Sequence, residues 1–358
     1  MAAFHALSVS DIRKETEDTV SVAFDIPEGL EETFKYKQGQ YITFKKDING
    51  EELRRSYSVC SSPLDGELRV AIKQVPEGRF STYANHDLGV GDVLEVMPPD
   101  GRFYTEVDPA QEKDYVAFAA GSGITPILSI MKTVLAKEPK SRFMLFYGNK
   151  TQDSIIFKKE IEGLKNTYMD RLAVYHVISR ENLGTDLFHG RIDEEKINKF
   201  IGGLFSPSGV DEFFLCGPEE MIMLVSERLK KEGVAKEKIH FELFTTPTMA
   251  AKNQKSAQAE TSTCSVESNL KVVLDGEEVE LALDTDGTNI LDAALEAGMD
   301  VPYACKGAVC MTCRGKVLEG SVKMDLNFAL TDQEVEEGYV LTCQSHPTSE
   351  KCTVSFDD

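Results

Sequence analysis

Near Asp114 the chain changes rhythm, and that change constrains the fold more than any other feature. Upstream, apolar residues fall in short segments at Thr19–Ile26, Gln40–Lys46, Leu53–Cys60, Glu67–Val75 and Asp92–Pro99. They are rich in β formers and divided by Gly, Pro or Asp turns, and one short helix is expected at Ser81–Leu88. Many short strands without long helices between them specify a small antiparallel β-barrel. Downstream, the runs at Tyr115–Ala120, Phe143–Gly148, Leu172–Ile178, Glu212–Gly217 and Ile239–Phe244 are continuous. Such runs suit strands buried on both faces. Helical stretches separate them, such as Ile127–Ala136, Ser154–Lys165 and Glu219–Glu232. Strand and helix alternating at this length specify a doubly wound α/β parallel sheet.

The rhythm stops again after Phe244. Thr245–Asn269 has almost no apolar periodicity and is rich in Ala, Ser, Thr, Lys and Gln, the composition of a flexible linker. Beyond it, "LKVVLDGEEVELAL" predicts a hairpin turning at Asp275-Gly276. "NILDAALEAG" predicts a short helix closed by Gly298. The expected domains are therefore 1–110, 111–246 and 269–358, with a linker at 247–268.

A chain of 358 residues that is 41% hydrophobic can bury two or three cores. Its net charge of −21 argues against nucleic acid and anionic membranes as main partners. No stretch reads as a signal peptide or a bilayer span, so a cytoplasmic protein is expected. The charge is uneven: residues 269–358 hold 18 acidic and 6 basic side chains. That surface is either simply well solvated or a docking face for a basic partner.

Three cysteines crowd the stretch "YACKGAVCMTC". Cys305, Cys310 and Cys313 have the spacing C-x4-C-x2-C, and Cys343 follows in "YVLTCQSHP". In a reducing compartment, clustered thiols point to metal or redox chemistry rather than to bridges. Zinc sites usually show two short, similar cysteine pairs, whereas here one tight triplet precedes one distant cysteine. The spacing is that of plant-type [2Fe–2S] ferredoxins. Gly307 and Ala308 leave room for backbone N–H groups to approach the sulfurs. Cys60 and Cys352 read as small buried hydrophobes, and Cys264 as an exposed linker residue. The six histidines have no metal spacing.

A one-electron cluster cannot take a hydride from a nicotinamide; a flavin between them can, because it releases electrons singly. "GSGITP" (Gly121 to Pro126) follows the strand Tyr115–Ala120 and opens a helix. Gly121 and Gly123 permit a tight turn, the helix N-terminus attracts a pyrophosphate, and Pro126 suits the first helical turn. It is not the full dinucleotide fingerprint, since Pro126 stands at the third glycine.

The series "RSYS" (Arg55–Ser58), "GRFS" (Gly78–Ser81), "PPDGRF" (Pro98–Phe103), "GSGITP" and "CGP" (Cys216–Pro218) resembles the ferredoxin-NADP⁺ reductase superfamily over about 245 residues. The last ninety residues, an α+β β-grasp domain, resemble plant-type ferredoxins. Together they resemble the reductases of multicomponent oxygenases. The resemblance implies FAD on the barrel. Arg55 would pair with the flavin pyrophosphate, with Ser56 beside it. Tyr57 would lie against the isoalloxazine, and Ser58 near the flavin N5. Gly78, Ser81 and Thr82 would hold the pyrophosphate. Phe244 would pack near the flavin. Gly121, Gly123, Thr125 and Pro126 would carry the NAD(P)H pyrophosphate, with Cys216, Gly217 and Pro218 at the nicotinamide end. Tyr57, Ser58 and Cys216 are the candidate catalytic residues.

Ser179 and Arg180 follow a strand where an arginine can hold a 2′-phosphate, Lys150 adds charge, and no acid closes that strand. This favours NADPH over NADH. Cys305, Cys310, Cys313 and Cys343 would ligate the cluster. The expected acceptor is a di-iron oxygenase component on another chain. A stand-alone reductase serving other acceptors and a zinc-binding interaction module are the rival readings.

Overall fold

The computed structural model describes residues 4–182, 184–244, 267–284 and 287–357. One compact unit spans Phe4–Leu53 and Tyr57–Phe244, and a second contains the residues from 267 onward. The expected linker lies outside the described residues as far as residue 266, as does Cys264; its last two positions, Glu267 and Ser268, already belong to a strand.

The barrel region comprises β1 (His5–Thr16), β2 (Thr19–Asp25), β3 (Tyr41–Ile48), β4 (Glu51–Ser58), β5 (Leu68–Lys73), α1 (Arg79–His86) and β6 (Val93–Val96). Its sheet order is β4-β3-β6-β1-β2-β5, with antiparallel neighbours. Leu7, Val22, Ile42, Phe44, Val70, Ile72 and Phe80 form its core. Five of the six strands are those expected from the sequence. The exception is β1, where the alternation of Leu7 and Val9 is broken by a register shift between Val9 and Asp11, after which charged residues follow. A bulge of that kind erases the period-2 signal.

The parallel region comprises β7 (Asp114–Ala120), α2 (Ile124–Lys137), β8 (Arg142–Asn149), α3 (Lys158–Thr167), β9 (Leu172–Ile178), α4 (Glu194–Phe200), β10 (Glu212–Gly217), α5 (Glu219–Lys231) and β11 (Ile239–Leu243). The strand order is β11-β10-β7-β8-β9, all parallel. The order reverses at β7, between β8 and β10, which opens a crevice at the strand ends. Helix α2 buries Ile124, Ile127, Leu128, Ile130, Met131, Val134 and Leu135. Each such side chain contributes about 1.5–3 kcal/mol. The same core takes in Cys60, Ala71 and Phe103 from the barrel region. Polar contacts fix that junction: Ser129 donates to the Ser61 carbonyl at 2.6 Å, and Lys132 pairs with Asp65 at 2.6 Å. Helix α3 begins later than expected because Phe157 takes a left-handed φ of 60°.

The second unit comprises β12 (Glu267–Leu274), β13 (Glu277–Asp284), α6 (Ile290–Glu296), β14 (Arg314–Glu319), β15 (Val322–Met324), α7 (Asp332–Glu336), β16 (Tyr339–Leu341), β17 (Ser345–Pro347) and β18 (Lys351–Ser355). Its main sheet runs β13-β12-β18-β14-β16, with β12 and β18 parallel. Ile290, Leu291 and Ala294 of α6 join Leu270, Val272, Cys352 and Val354 in the core. The hairpin turns at Asp275 and Gly276, both with positive φ, as a type I′ turn requires. Asn289 caps α6 by accepting from the Asp292 N–H, and Gly298 (φ 86°) ends it. Among the described residues, no helix is long and apolar enough to cross a membrane.

Candidate functional site

Strand β4 and helix α1 meet through aromatic rings. Half-buried Tyr57 packs against Phe44 of β3 (5.9 Å between centroids) and Phe80 of α1 (5.7 Å). The two segments expected to hold flavin are thereby neighbours. At Gly78 a Cβ would overlap the Ser81 hydroxyl and a Val75 methyl. No side chain caps α1, so its first N–H groups stay available to an anion. Ser81 itself is turned inward: its hydroxyl donates to the Gly78 carbonyl at 3.1 Å and accepts from the Val75 N–H at 3.2 Å. Thr82 accepts from Gln74 at 3.3 Å. Arg55 donates to the Arg54 carbonyl at 2.7 Å. An open helix start with a glycine cradle fits a pyrophosphate-bearing flavin.

Ser58 is buried, and its hydroxyl donates to Glu242 of β11 at 2.9 Å. Burial pushes the Glu242 carboxyl up to about 7, only partly offset by the Ser58 hydrogen bond. Glu242 is not among the residues expected from the sequence. It lies in "FELF" two residues before Phe244, and nothing local distinguishes it from a solvated strand acid.

At the C-terminal ends of the parallel strands lies a cleft of about 900 Å³. Of the residues expected at the coenzyme, Gly121, Lys150, Ser179, Arg180, Gly217 and Pro218 line it, and so does Phe244, expected near the flavin. Gly123 lies beneath: a Cβ there would overlap the Cys216 carbonyl, so only glycine lets α2 start so close to β10. Gly121 takes a left-handed φ of 55°. Thr125 is buried and donates to the Ser122 carbonyl at 3.0 Å, and Pro126 is buried too. Both shape the loop and do not face the cleft. A glycine turn, an uncapped helix start and two cations just past strand ends, Lys150 and Arg180, fit a nicotinamide dinucleotide.

Cys216 is placed differently from expectation. Its thiol is 0% exposed, in the core with Ile124 and Phe214. Burial, and then the nearby Glu242 charge, push its ionisation well above the ordinary thiol range. Because α2 starts directly over its backbone, this position offers a carbonyl and a neighbouring glycine, not a reactive sulfur. The cleft also contains Lys73 of β5 and Arg191, neither expected from the sequence. Lys73 is held by Asp18 at 3.1 Å. In sequence it is one lysine at a strand end; only the tertiary fold brings it to the cleft.

In the second unit the four cysteines gather as two pairs. The Cys305 and Cys310 sulfurs are 3.1 Å apart. Cys313 and Cys343 interact through their thiols. Backbone N–H groups converge on Cys305: Gly307 at 3.2 Å and Cys310 at 3.4 Å. The loop reaches this geometry through positive φ at Lys306 (49°) and Ala308 (61°), an arrangement that turns successive N–H groups inward. The Cys310 thiol, then these N–H groups, hold Cys305 below the ordinary thiol range. Two thiol pairs suit a binuclear cluster in which each iron takes two thiolates.

Comparison with known proteins agrees with this geometry. Residues 6–104 match the oxidoreductase FAD-binding domain, residues 118–227 the oxidoreductase NAD-binding domain, and residues 272–348 the 2Fe-2S iron-sulfur cluster binding domain. The chain is 42% identical over 357 residues to one of the subunits of 1,2-phenylacetyl-CoA epoxidase of Escherichia coli (strain K12), covering 100% of this chain and 99% of that protein. It is 32% identical to the ferredoxin reductase component of 3-ketosteroid-9-alpha-monooxygenase of Rhodococcus rhodochrous, covering 98% and 96%. Among solved structures, phthalate dioxygenase reductase shares the fold with a TM-score of 0.60 at 20% identity, over 99% of this chain and 98% of that one.

Proposed function

Because this chain belongs to the oxygenase-reductase family, with FAD-binding, NAD-binding and 2Fe-2S cluster-binding domains in that order, we propose that it delivers electrons from NADPH to a phenylacetyl-CoA epoxidase-like di-iron oxygenase component. That it is the reductase component of a monooxygenase system, with an oxygenase as partner, follows from the family. The coenzyme, the kind of oxygenase and the residue roles are our reading, as are a cytoplasmic location and domain limits at 110, 246 and 268. The FAD, when bound, supplies the conversion between two-electron and one-electron transfer that a nicotinamide and a [2Fe–2S] cluster cannot make directly.

The chain's own residues set the stage for each transfer. Arg55 and the open start of α1 hold pyrophosphate charge on the barrel, and Tyr57 supplies an aromatic wall. Ser58 keeps its proton directed at Glu242, and Glu242 stays largely protonated below about pH 7. Gly121, Ser122 and the start of α2 receive the coenzyme pyrophosphate, while Lys150 and Arg180 face its 2′-phosphate. Phe244 closes the cleft beside Gly217 and Pro218. Cys305, Cys310, Cys313 and Cys343 would hold the cluster as thiolates, and the cluster would supply one-electron transfer there.

The observation that carries this reading is the pairing of four thiols, two and two, in a loop whose N–H groups turn onto sulfur. The test is an anaerobic titration of the purified protein with NADPH, and separately NADH, followed by visible absorbance and then EPR. Flavin bleaching followed by an S = ½ signal supports the relay. A colourless protein, or flavin without a cluster signal, removes its last step.

A further inference from the structure

We propose that the end of β8 is an unassigned element of the coenzyme site, in which the Asn149 side-chain amide binds the dinucleotide directly and Tyr147 positions the peptide that receives its pyrophosphate. The inference rests on the reading that the cleft takes a nicotinamide dinucleotide.

Tyr147 and Asn149 are two residues apart on one strand, so their side chains share a face of the sheet. Tyr147 is fully buried in the core beneath α2. Its hydroxyl donates to the Gly121 carbonyl at 3.0 Å, and the Ile156 carbonyl lies farther away at 3.5 Å. The Gly121 carbonyl also accepts from the Ile124 N–H. A trans peptide is planar, with its C=O and N–H pointing opposite ways. Tying the Gly121 carbonyl inward therefore turns the Ser122 N–H away from Tyr147. Both Gly121 and Ser122 line the cleft, so that N–H is presented to a ligand anion. Gly121 has the left-handed φ that this peptide orientation requires. Burial pushes the Tyr147 phenol far above its ordinary range, so it remains a donor at any working pH.

Asn149 stands one step nearer the cleft mouth. Asn149 is 8% exposed and lines the cleft. The amide N–H faces the Tyr147 oxygen, yet Nδ2 makes no hydrogen bond of good geometry with any described residue. A buried amide donor without an acceptor is costly, and such groups in folded proteins need an explanation. Here the explanation is an acceptor supplied from outside: an oxygen of the dinucleotide's phosphate or ribose. The two observations, one a backbone geometry and one a buried donor without a well-formed bond, meet at the Tyr147 hydroxyl on the same stretch of cleft wall.

The test is binding of NADP⁺ and NAD⁺ to the flavin-loaded full-length protein by calorimetry, with steady-state NADPH oxidation alongside. The variants are Tyr147→Phe, Asn149→Ala and Asn149→Ser. A hydrogen bond of this kind is worth about 3- to 10-fold in affinity. We expect NADP⁺ dissociation constants and the KM for NADPH to rise by about that factor in each variant. The kcat at saturating NADPH should stay within about 2-fold, and flavin content should be unchanged. A purely structural role would instead lower kcat or flavin content together with thermal stability. Unchanged affinity in Asn149→Ala and Asn149→Ser removes the direct contact; unchanged affinity in Tyr147→Phe removes the positioning role. If the wild-type protein binds neither NADP⁺ nor NAD⁺, the coenzyme reading falls and this inference falls with it.

Discussion

The cysteine loop and the nucleotide cleft are both redox sites, but they are built in opposite ways. In the loop, three of the four proposed ligands lie within nine residues, and the chain's own dihedrals at Lys306 and Ala308 aim the N–H groups at sulfur. The cleft draws Lys73, Gly121, Lys150, Arg180, Gly217 and Phe244 from strand ends, and Arg191 from a loop, spread over much of the first unit. A locally encoded site fails through its side chains. A site assembled by topology fails through its backbone. Substitutions in the two places should therefore have different signatures.

The largest effect is expected from Cys313→Ser. One thiol of the Cys313–Cys343 pair is lost, and serine is a poor substitute for a soft thiolate ligand. The S = ½ signal should disappear and reduction of the oxygenase component should fall by at least about 1,000-fold, while NADPH-dependent reduction of ferricyanide by the flavin persists. Loss of both activities together would mean that the two sites are not separable. Next comes Gly123→Ala. Its Cβ would collide with the backbone of Cys216 and Gly217, which cannot move aside as a side chain can. We expect about 2–4 kcal/mol of lost stability by chemical denaturation, NADPH oxidation down by about 100-fold, and a cluster signal per folded molecule that is unchanged. Arg180→Ala should act more gently, raising the KM for NADPH by about 10-fold and that for NADH by less than about 2-fold. Equal changes for both coenzymes would place the 2′-phosphate elsewhere.

What is legible in the sequence follows the same division. The thiols announce themselves by spacing. The parallel sheet is legible because strands buried on both faces carry unbroken apolar runs, and "GSGITP" because a glycine turn between strand and helix has little other use. Strand β1 is not, because a bulge at Val9–Asp11 scrambles its alternation. Cys216 reads as lining the nicotinamide end because it opens "CGP", yet the thiol points beneath α2. Motif order says that backbone and ligand meet there; it does not say which way the side chain faces. Lys73, Glu242, Tyr147 and Asn149 give no signal, since each matters only through a neighbour distant in sequence.

Glu242→Gln is expected to change turnover least, and its effect has a definite sign. Burial raises this carboxyl from an ordinary value of 4.5 to about 7. Below pH 4.5 it is protonated whether the chain is folded or not, and it favours neither state. Between pH 4.5 and about 7 the folded protein holds a proton that the unfolded chain releases, so its contribution to stability falls as pH rises through that window. Glutamine keeps the hydrogen bond from Ser58 and cannot ionise. The stability of the variant relative to wild type, from denaturant unfolding of the flavin-loaded protein, should therefore increase steadily from pH 5 to pH 7.5. A constant difference would mean that Glu242 is ionised throughout. The half-buried acid where barrel and sheet meet would then be held as an anion by its surroundings, and the contrast with the cysteine loop would sharpen.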